Sequence, residues 1–90
     1  MEIDSFECAP TGEYHLASFN LFIEEDNFFF NNLKLCRSKK GHLYIKFPQY
    51  KTSSGEWKNV AGWGSEKMGV ISKEIKDLLE SKGLLEKFST

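Results

Sequence analysis

The chain has 90 residues, 40% of them hydrophobic and 28% charged, and its formal net charge is −1. This length supports one hydrophobic core and excludes a second domain, and the composition excludes a disordered chain. No apolar run approaches the roughly 20 residues of a membrane span, and the acidic amino terminus is unlike a secretory signal. We therefore expect one domain over residues 1–90, cytoplasmic and without a membrane partner.

The charges are segregated along the chain. Residues 1–33 carry seven acidic side chains and no Lys or Arg, whereas residues 34–58 carry seven basic side chains and one acidic. One interpretation is a basic face that attracts a polyanion, since local field matters more than net charge. The other is that acids and bases pair across neighbouring strands and set their register. The sequence leaves both interpretations open.

Alternation of apolar and polar residues predicts four or five antiparallel strands between residues 2 and 61. The first covers residues 2–8, and Pro and Gly predict a turn over residues 9–13. The second covers residues 14–23 and ends at an acidic tip over residues 24–27. Its predicted core face is fully apolar and consists of Ala17, Phe19, Leu21 and Ile23.

Three consecutive phenylalanines open the third strand, residues 28–36. Strict alternation places Phe29 with Leu33 and Leu35 on one face, and Phe28 and Phe30 on the other. All three rings cannot point inward from a flat strand, and exposed rings of this size indicate an interface. We therefore predict a homodimer with Phe28 and Phe30 in its interface.

A basic turn and two further strands follow. The fourth strand, residues 42–47, directs Leu43, Ile45 and Phe47 inward, and Tyr44 and Lys46 outward. Proline at position 48 ends its regular pairing because it has no amide proton. Residues 53–55 form a tight turn before a fifth strand over residues 56–61. The glycines at positions 62 and 64 predict a bend that tucks the intervening Trp63 onto the core or exposes it to a ligand.

The pattern becomes helical from about residue 66 to residue 82. Apolar residues at helical spacing form a stripe that can lie on the sheet: Met68, Ile71, Ile75, Leu78 and Leu79. Ser65 or Ser72 is the expected amino-terminal cap, and Gly83 the residue that ends the helix. The predicted fold is α+β, a small antiparallel sheet with a carboxy-terminal helix packed on it.

The sequence offers little basis for catalysis. His15 and His42 lie in different strands without a metal-binding spacing, and Cys8 and Cys36 are isolated thiols. The glycines do not form a phosphate-binding loop. We therefore expect no enzyme, no metal, no cofactor and no small-molecule substrate.

The basic segment is better suited to nucleic acid, single- or double-stranded. Lys and Arg neutralise phosphates, and exposed aromatic rings stack on unpaired bases. The candidate residues are Arg37, Lys39, Lys40, Tyr44, Lys46, Tyr50, Lys51, Lys58 and Trp63. The alternative is a protein-interaction module that uses exposed Phe28 and Phe30 together with the acidic first third of the chain.

Residues 42–61, HLYIKFPQYKTSSGEWKNVA, resemble a stretch of the stage V sporulation protein G (SpoVG) family. The matching positions are Gly41, Pro48, Lys51, Thr52, Gly55, Glu56, Trp57, Lys58 and Ala61. The resemblance implies an antiparallel sheet with a carboxy-terminal helix, a dimer, and regulation through DNA and RNA binding. It also implies that Lys51, Lys58 and Lys67 contact nucleic acid. The chain departs from the family at residues 61–64, AGWG, where Ala-His-Pro-Ile is usual, and Lys67 replaces an arginine.

Overall fold

The computed structural model describes residues 1–9 and 14–88, and the turn predicted at 9–13 lies mostly outside them. The fold is α+β, as predicted. Within the described residues, six strands precede one long helix: β1 (Glu2–Cys8), β2 (His15–Ile23), β3 (Phe28–Arg37), β4 (Leu43–Lys46), β5 (Gln49–Lys51), β6 (Trp57–Asn59) and α1 (Ser65–Ser81). Short 3-10 turns cover Glu24–Asp26 and Glu86–Phe88.

The strands form two separate sheets. β1, β2, β3 and β4 lie in that order in a four-stranded antiparallel sheet, and β5 pairs only with β6. The chain leaves the large sheet at Pro48, whose carbonyl accepts a hydrogen bond from the Val60 amide at 2.8 Å. The predicted fifth strand therefore exists as one arm of a hairpin beside the sheet, over Trp57–Asn59.

One face of the large sheet is covered by α1. Ile71, Ile75 and Leu79 are the buried residues of the helix, at a spacing of four, as the apolar stripe predicted. They pack with the inward residues of the strands: Leu16, Ala17, Phe19, Leu21, Ile23, Phe30, Leu33, Leu35, Ile45 and Phe47. No helix of the described residues is long and apolar enough to cross a membrane.

The ends of α1 differ in part from the expectation. The amino-terminal cap position is occupied by Gly64, so the helix begins without a side-chain cap, and neither Ser65 nor Ser72 serves as the cap. Gly83 ends the helix as predicted, with a φ of +73° and its amide donating to the Glu80 carbonyl at 2.9 Å. A positive φ of this kind is accessible to glycine at little steric cost.

Two bulges overturn the strict alternation expected of β1 and β3. The register shifts between Asp4 and Glu7 in β1, where Ser5 has a φ of 54°. It shifts again in β3, where Asn32 has a φ of 63° and Phe19 pairs with Leu33 while Leu21 pairs with Phe30. Each bulge moves the residues beyond it to the other face, since side chains otherwise alternate with a period of two.

The face assignment predicted for the phenylalanines was therefore wrong. Phe30 is only 7% exposed and lies inside the core, its ring perpendicular to that of Phe47 at 5.4 Å between centroids. Phe29, predicted to face inward, is on the opposite face and 61% exposed. Phe28 is 45% exposed at the rim of the core, with its ring against Phe30. Phe30 is not available to a partner on the surface of a single chain.

Candidate functional site

The face of the large sheet that points away from α1 carries the segregated charges, and we call it the open face. Paired residues of antiparallel strands share a face. Glu2, Asp4 and Glu7 of β1 pair with Phe22, Asn20 and Ser18 of β2, and so lie on the open face at one edge. Lysines occupy the opposite edge of the same face, on β3 and β4. The open face thus has an acidic edge and a basic edge.

The basic edge is built on two lysines that lie directly across from each other. Lys34 of β3 and Lys46 of β4 are Cα partners in the register. Lys34 alternates with the buried Leu33 and Leu35 and so points outward, and the bulge at Asn32 allows this while Phe30 also faces the core. Lys46 alternates with the buried Ile45 and Phe47. Both ammonium groups therefore project from the same side of neighbouring strands.

A cleft of about 370 Å³ separates this basic edge from the β5–β6 hairpin. Its walls come from the bulge, the two lysines and the β5–β6 hairpin, which contributes Trp57. The lining residues are Asn32, Lys34, Lys46, Phe47, Pro48, Gln49 and Trp57. The Trp57 side chain is 64% exposed, although tryptophan is usually buried in a folded chain.

The hairpin has two different faces. Lys51 pairs with Trp57, and the two share the face that carries Gln49 of the cleft lining. Tyr50 pairs with Lys58 on the opposite face. The predicted residues of this segment are therefore divided, and the structure groups Lys51 with Trp57 while it directs Tyr50 and Lys58 away from the cleft.

The β3–β4 and β5–β6 turns are closed by the same arrangement of hydrogen bonds. In the β5–β6 turn the Thr52 amide donates to the Glu56 carbonyl at 2.8 Å, and the Thr52 hydroxyl accepts from the Glu56 amide at 3.1 Å. Gly55 has a φ of +89°. Ser38, Gly41 and His42 repeat this pattern between β3 and β4. These bonds hold the β5–β6 hairpin, which carries Trp57, in a defined shape.

A tyrosine and a thiol extend the basic edge toward the other end of β4. Tyr44 is the register partner of Cys36, and its side chain lies on the same face as Lys46. Burial raises the pKa of the Cys36 thiol, against the lowering influence of Lys46, the Tyr44 hydroxyl and Lys34. The thiol stays protonated at neutral pH, so it supplies no negative charge to offset the lysines.

Pairing between acids and bases does not account for the charge pattern. The single ion pair recorded among residues 1–9 and 14–88 joins the Met1 amino group to Glu24 at 3.9 Å. No Lys or Arg side chain in that part of the chain lies within 4.0 Å of a described carboxylate. The acids and bases are segregated to opposite edges, and the lysines of the basic edge are left with unneutralised charge.

Three of the predicted site residues lie away from the cleft. The Arg37 guanidinium donates to the Phe88 carbonyl at 2.8 Å and so holds the carboxy-terminal segment. The Trp63 ring packs against Phe30 at 5.4 Å between centroids, so the bend tucks it onto the core and it is not a free stacking platform. Lys67 borders a concave surface that also includes Glu25, Asp26 and Glu74, away from the cleft.

The remaining predictions divide between the two ends of β4. Lys39 and Lys40 are exposed in the β3–β4 turn, while Lys46 and Lys51 lie at or beside the cleft. The predicted set omitted Lys34 and Trp57, which line the cleft. In the sequence, Lys34 and Cys36 alternate with Leu33 and Leu35, which places Lys34 on the outward face. Trp57 follows a turn glycine and alternates with Lys58, so the two side chains point to opposite faces of the predicted strand. These two signals were sufficient to include both residues.

Comparison with known proteins adds no relative to this description. No protein-family model matches the chain, and neither the curated proteins nor the solved structures contain a match.

Proposed function

We propose that this protein binds nucleic acid without catalysis, through the basic edge and the cleft. The observation that carries the proposal is the placement of Lys34 directly opposite Lys46 without a neighbouring carboxylate. Like charges directly opposite each other on a sheet destabilise it. A bound phosphate removes this repulsion, because each ammonium group then has a negatively charged partner.

The surroundings of the two lysines favour a polyanion over a single small anion. Lys51 extends the positive surface along the hairpin, and Lys39 and Lys40 extend it at the far turn. Several separated ammonium groups match the repeated phosphates of a nucleic acid. Each phosphate that a lysine neutralises releases counterions from the nucleic acid, which favours binding. Tyr44 and Trp57 add exposed aromatic surface between these charges. The proposed role is that of a cytoplasmic regulator that acts on DNA or RNA.

The acidic edge does not cancel this attraction at physiological salt. Neighbouring strands are about 4.8 Å apart, so β1 lies roughly 14 Å from β4 across the sheet. The screening length is about 8 Å at 0.15 M salt, so the field of Glu2, Asp4 and Glu7 is largely screened at Lys46. The acidic edge instead orients the ligand, because a polyanion is repelled from one half of the open face.

The resemblance of residues 42–61 to the SpoVG family supports the same proposal. This resemblance implies that Lys51 and Lys58 contact nucleic acid. Lys51 shares a hairpin face with Trp57, whereas Lys58 lies on the other hairpin face. We propose Lys51 as a primary contact and Lys58 as a contact to a more distant phosphate.

The test is a fluorescence-anisotropy titration of labelled DNA and RNA at several salt concentrations between 50 and 200 mM. The variant Lys34→Gln/Lys46→Gln should weaken binding and reduce the slope of log K against log salt by about 1.5, for two lost phosphate contacts. The matched control is Lys73→Gln/Lys82→Gln, which removes the same charge from exposed positions at the helix. An equal loss of affinity in both double variants would mean that only the net charge matters and not the position of the two lysines. If the wild-type protein binds neither DNA nor RNA at low salt, the proposed function is rejected.

The exposed phenylalanines support a second candidate function, a protein-interaction surface whose partner can be a second copy of this chain. Phe29 lies on the open face near the acidic edge, and Phe28 at the rim of the core. Exposed aromatic rings of this size are enriched in the centres of interfaces. Sedimentation at micromolar concentration measures the assembly, and Phe29→Ser should shift a dimer toward monomer. A wild-type chain that is monomeric throughout would exclude the homodimer.

A further inference from the structure

We infer that the cleft holds an unpaired base of a single strand, stacked on Trp57, with the neighbouring phosphate between Lys34 and Lys46. This inference rests on the proposed nucleic-acid binding and specifies its ligand class. The aromatic ring and the lysine pair line the same cleft of about 370 Å³. A nucleotide presents the same two chemistries, a flat ring and an adjacent negative charge.

The orientation of Trp57 gives the first argument. Its side chain leaves the hairpin on the face that carries Gln49, a residue of the cleft lining, and not on the face of Tyr50 and Lys58. The ring is mostly exposed in the free protein, so apolar surface is already available to a ligand at no cost of unpacking. Stacking of a base on such a ring is favourable for every base, because each base has a π-face.

The amide side chains of the cleft give the second argument. Asn32 and Gln49 stand on its walls. Gln49 donates through Nε2 to Asn59 Oδ1 at 3.1 Å, which fixes the orientation of its amide. An amide offers both donors and an acceptor, so it can hydrogen-bond the edge of a base that has lost its pairing partner.

A duplex cannot place a base in this cleft. The major groove, about 12 Å wide, does admit a two-stranded ribbon such as β5–β6. A ribbon inserted in that way would present its turn and the Tyr50–Lys58 face, however, while Trp57 faces the lysines of its own sheet. Trp57 can therefore reach only a base that has left the stack, and the cleft selects single strands.

The experiment compares three ligands of equal length at 150 mM salt: oligo-dT, the same phosphate backbone with abasic sites, and a duplex. Anisotropy should show oligo-dT binding about 5- to 100-fold more tightly than the abasic strand, the range expected for one stacked base. Trp57→Ala should weaken oligo-dT binding by a similar factor and leave abasic binding unchanged. Trp57→Phe should retain part of the preference.

The outcomes separate this inference from the proposal beneath it. A duplex that binds as tightly as oligo-dT, or an equal effect of Trp57→Ala on the two single strands, overturns the inference and leaves nucleic-acid binding intact. No binding of any ligand, even at low salt, rejects both. A second measurement needs no change at Trp57: in Trp63→Phe the fluorescence comes from Trp57 alone, and oligo-dT should quench it while the abasic strand should not. An absence of quenching with bound oligo-dT also overturns the inference.

Discussion

The Asn32 amide donates a hydrogen bond to Oδ1 of Asn20 on the neighbouring strand, at 3.0 Å. This bond lies at the β3 bulge, where two residues of one strand oppose one of the other. The bulge allows Phe30 and Leu33 to face the core although three positions separate them. Lys34 lies on the open face beyond this bulge, so the bulge lets one strand contribute both to the aromatic core and to the basic edge.

Substitution at the bulge tests this relationship. Asn32 has a φ of 63°, a conformation that asparagine and glycine tolerate better than other residues. We expect Asn32→Ala to be about 1 kcal/mol less stable than Asn32→Gly, because a β-carbon is strained in the left-handed region. Both variants keep the backbone amide that donates to Asn20. Urea unfolding measures the difference, and equal stabilities would contradict the bulge.

The phenylalanines of β3 should differ sharply in their contribution to stability. Phe30→Ala removes a buried ring from the aromatic cluster with Phe47 and Trp63, and should lower the free energy of unfolding by about 3 to 5 kcal/mol. Phe29→Ala changes an exposed ring and should stay within about 0.5 kcal/mol. Thermal or urea unfolding of the two variants shows which ring is in the core. A larger loss of stability in Phe29→Ala than in Phe30→Ala would support strict alternation instead of the bulge.

Neutralising the acidic edge should strengthen nucleic-acid binding in a salt-dependent way. Glu2→Gln/Asp4→Asn removes two negative charges from the open face. The gain in affinity should be clear at 0.01 M salt, where the screening length is about 30 Å, and small at 0.15 M, where it is about 8 Å. Asp77→Asn/Glu80→Gln on α1 provides the control with equal net charge. A gain that persists undiminished at 0.15 M would place the acids closer to the ligand than this geometry allows.

The two thiols should react at different rates. Cys8 is exposed in the edge strand, whereas Cys36 is buried and its pKa is raised by that burial. The thiolate is the nucleophile, so a raised pKa and poor access both slow alkylation. We expect Cys8 to react about tenfold faster or more with iodoacetamide at pH 8, as followed by mass spectrometry of peptides. The rates should converge in urea, and similar rates in the native protein would contradict the burial of Cys36.

Much of the architecture could be predicted because the decisive signals are local. The alternation of β4, and of β2 from Ala17 onward, identified their core faces, and the helical spacing identified the buried stripe of α1. At the start of β2 the register shifts between His15 and Ala17, and Leu16 is buried beside Ala17. The turn glycines at positions 41 and 55 adopt the positive φ expected of them. The face assignments failed at the bulges of β1 and β3. In β3 one residue in the left-handed conformation reversed every face assignment on one side of it.

The sequence by itself determined the α+β class, the order of the elements and the segregation of charge, since these follow from periodicity and composition along the chain. Only the tertiary structure decided which charges and rings share a surface. It separated Tyr50 and Lys58 from Lys51 and Trp57, buried Phe30 with the Trp63 ring packed against it, and placed Lys34 opposite Lys46. Strand pairing and bulge position set these relationships, and both depend on contacts between residues distant in the sequence, which no local pattern records.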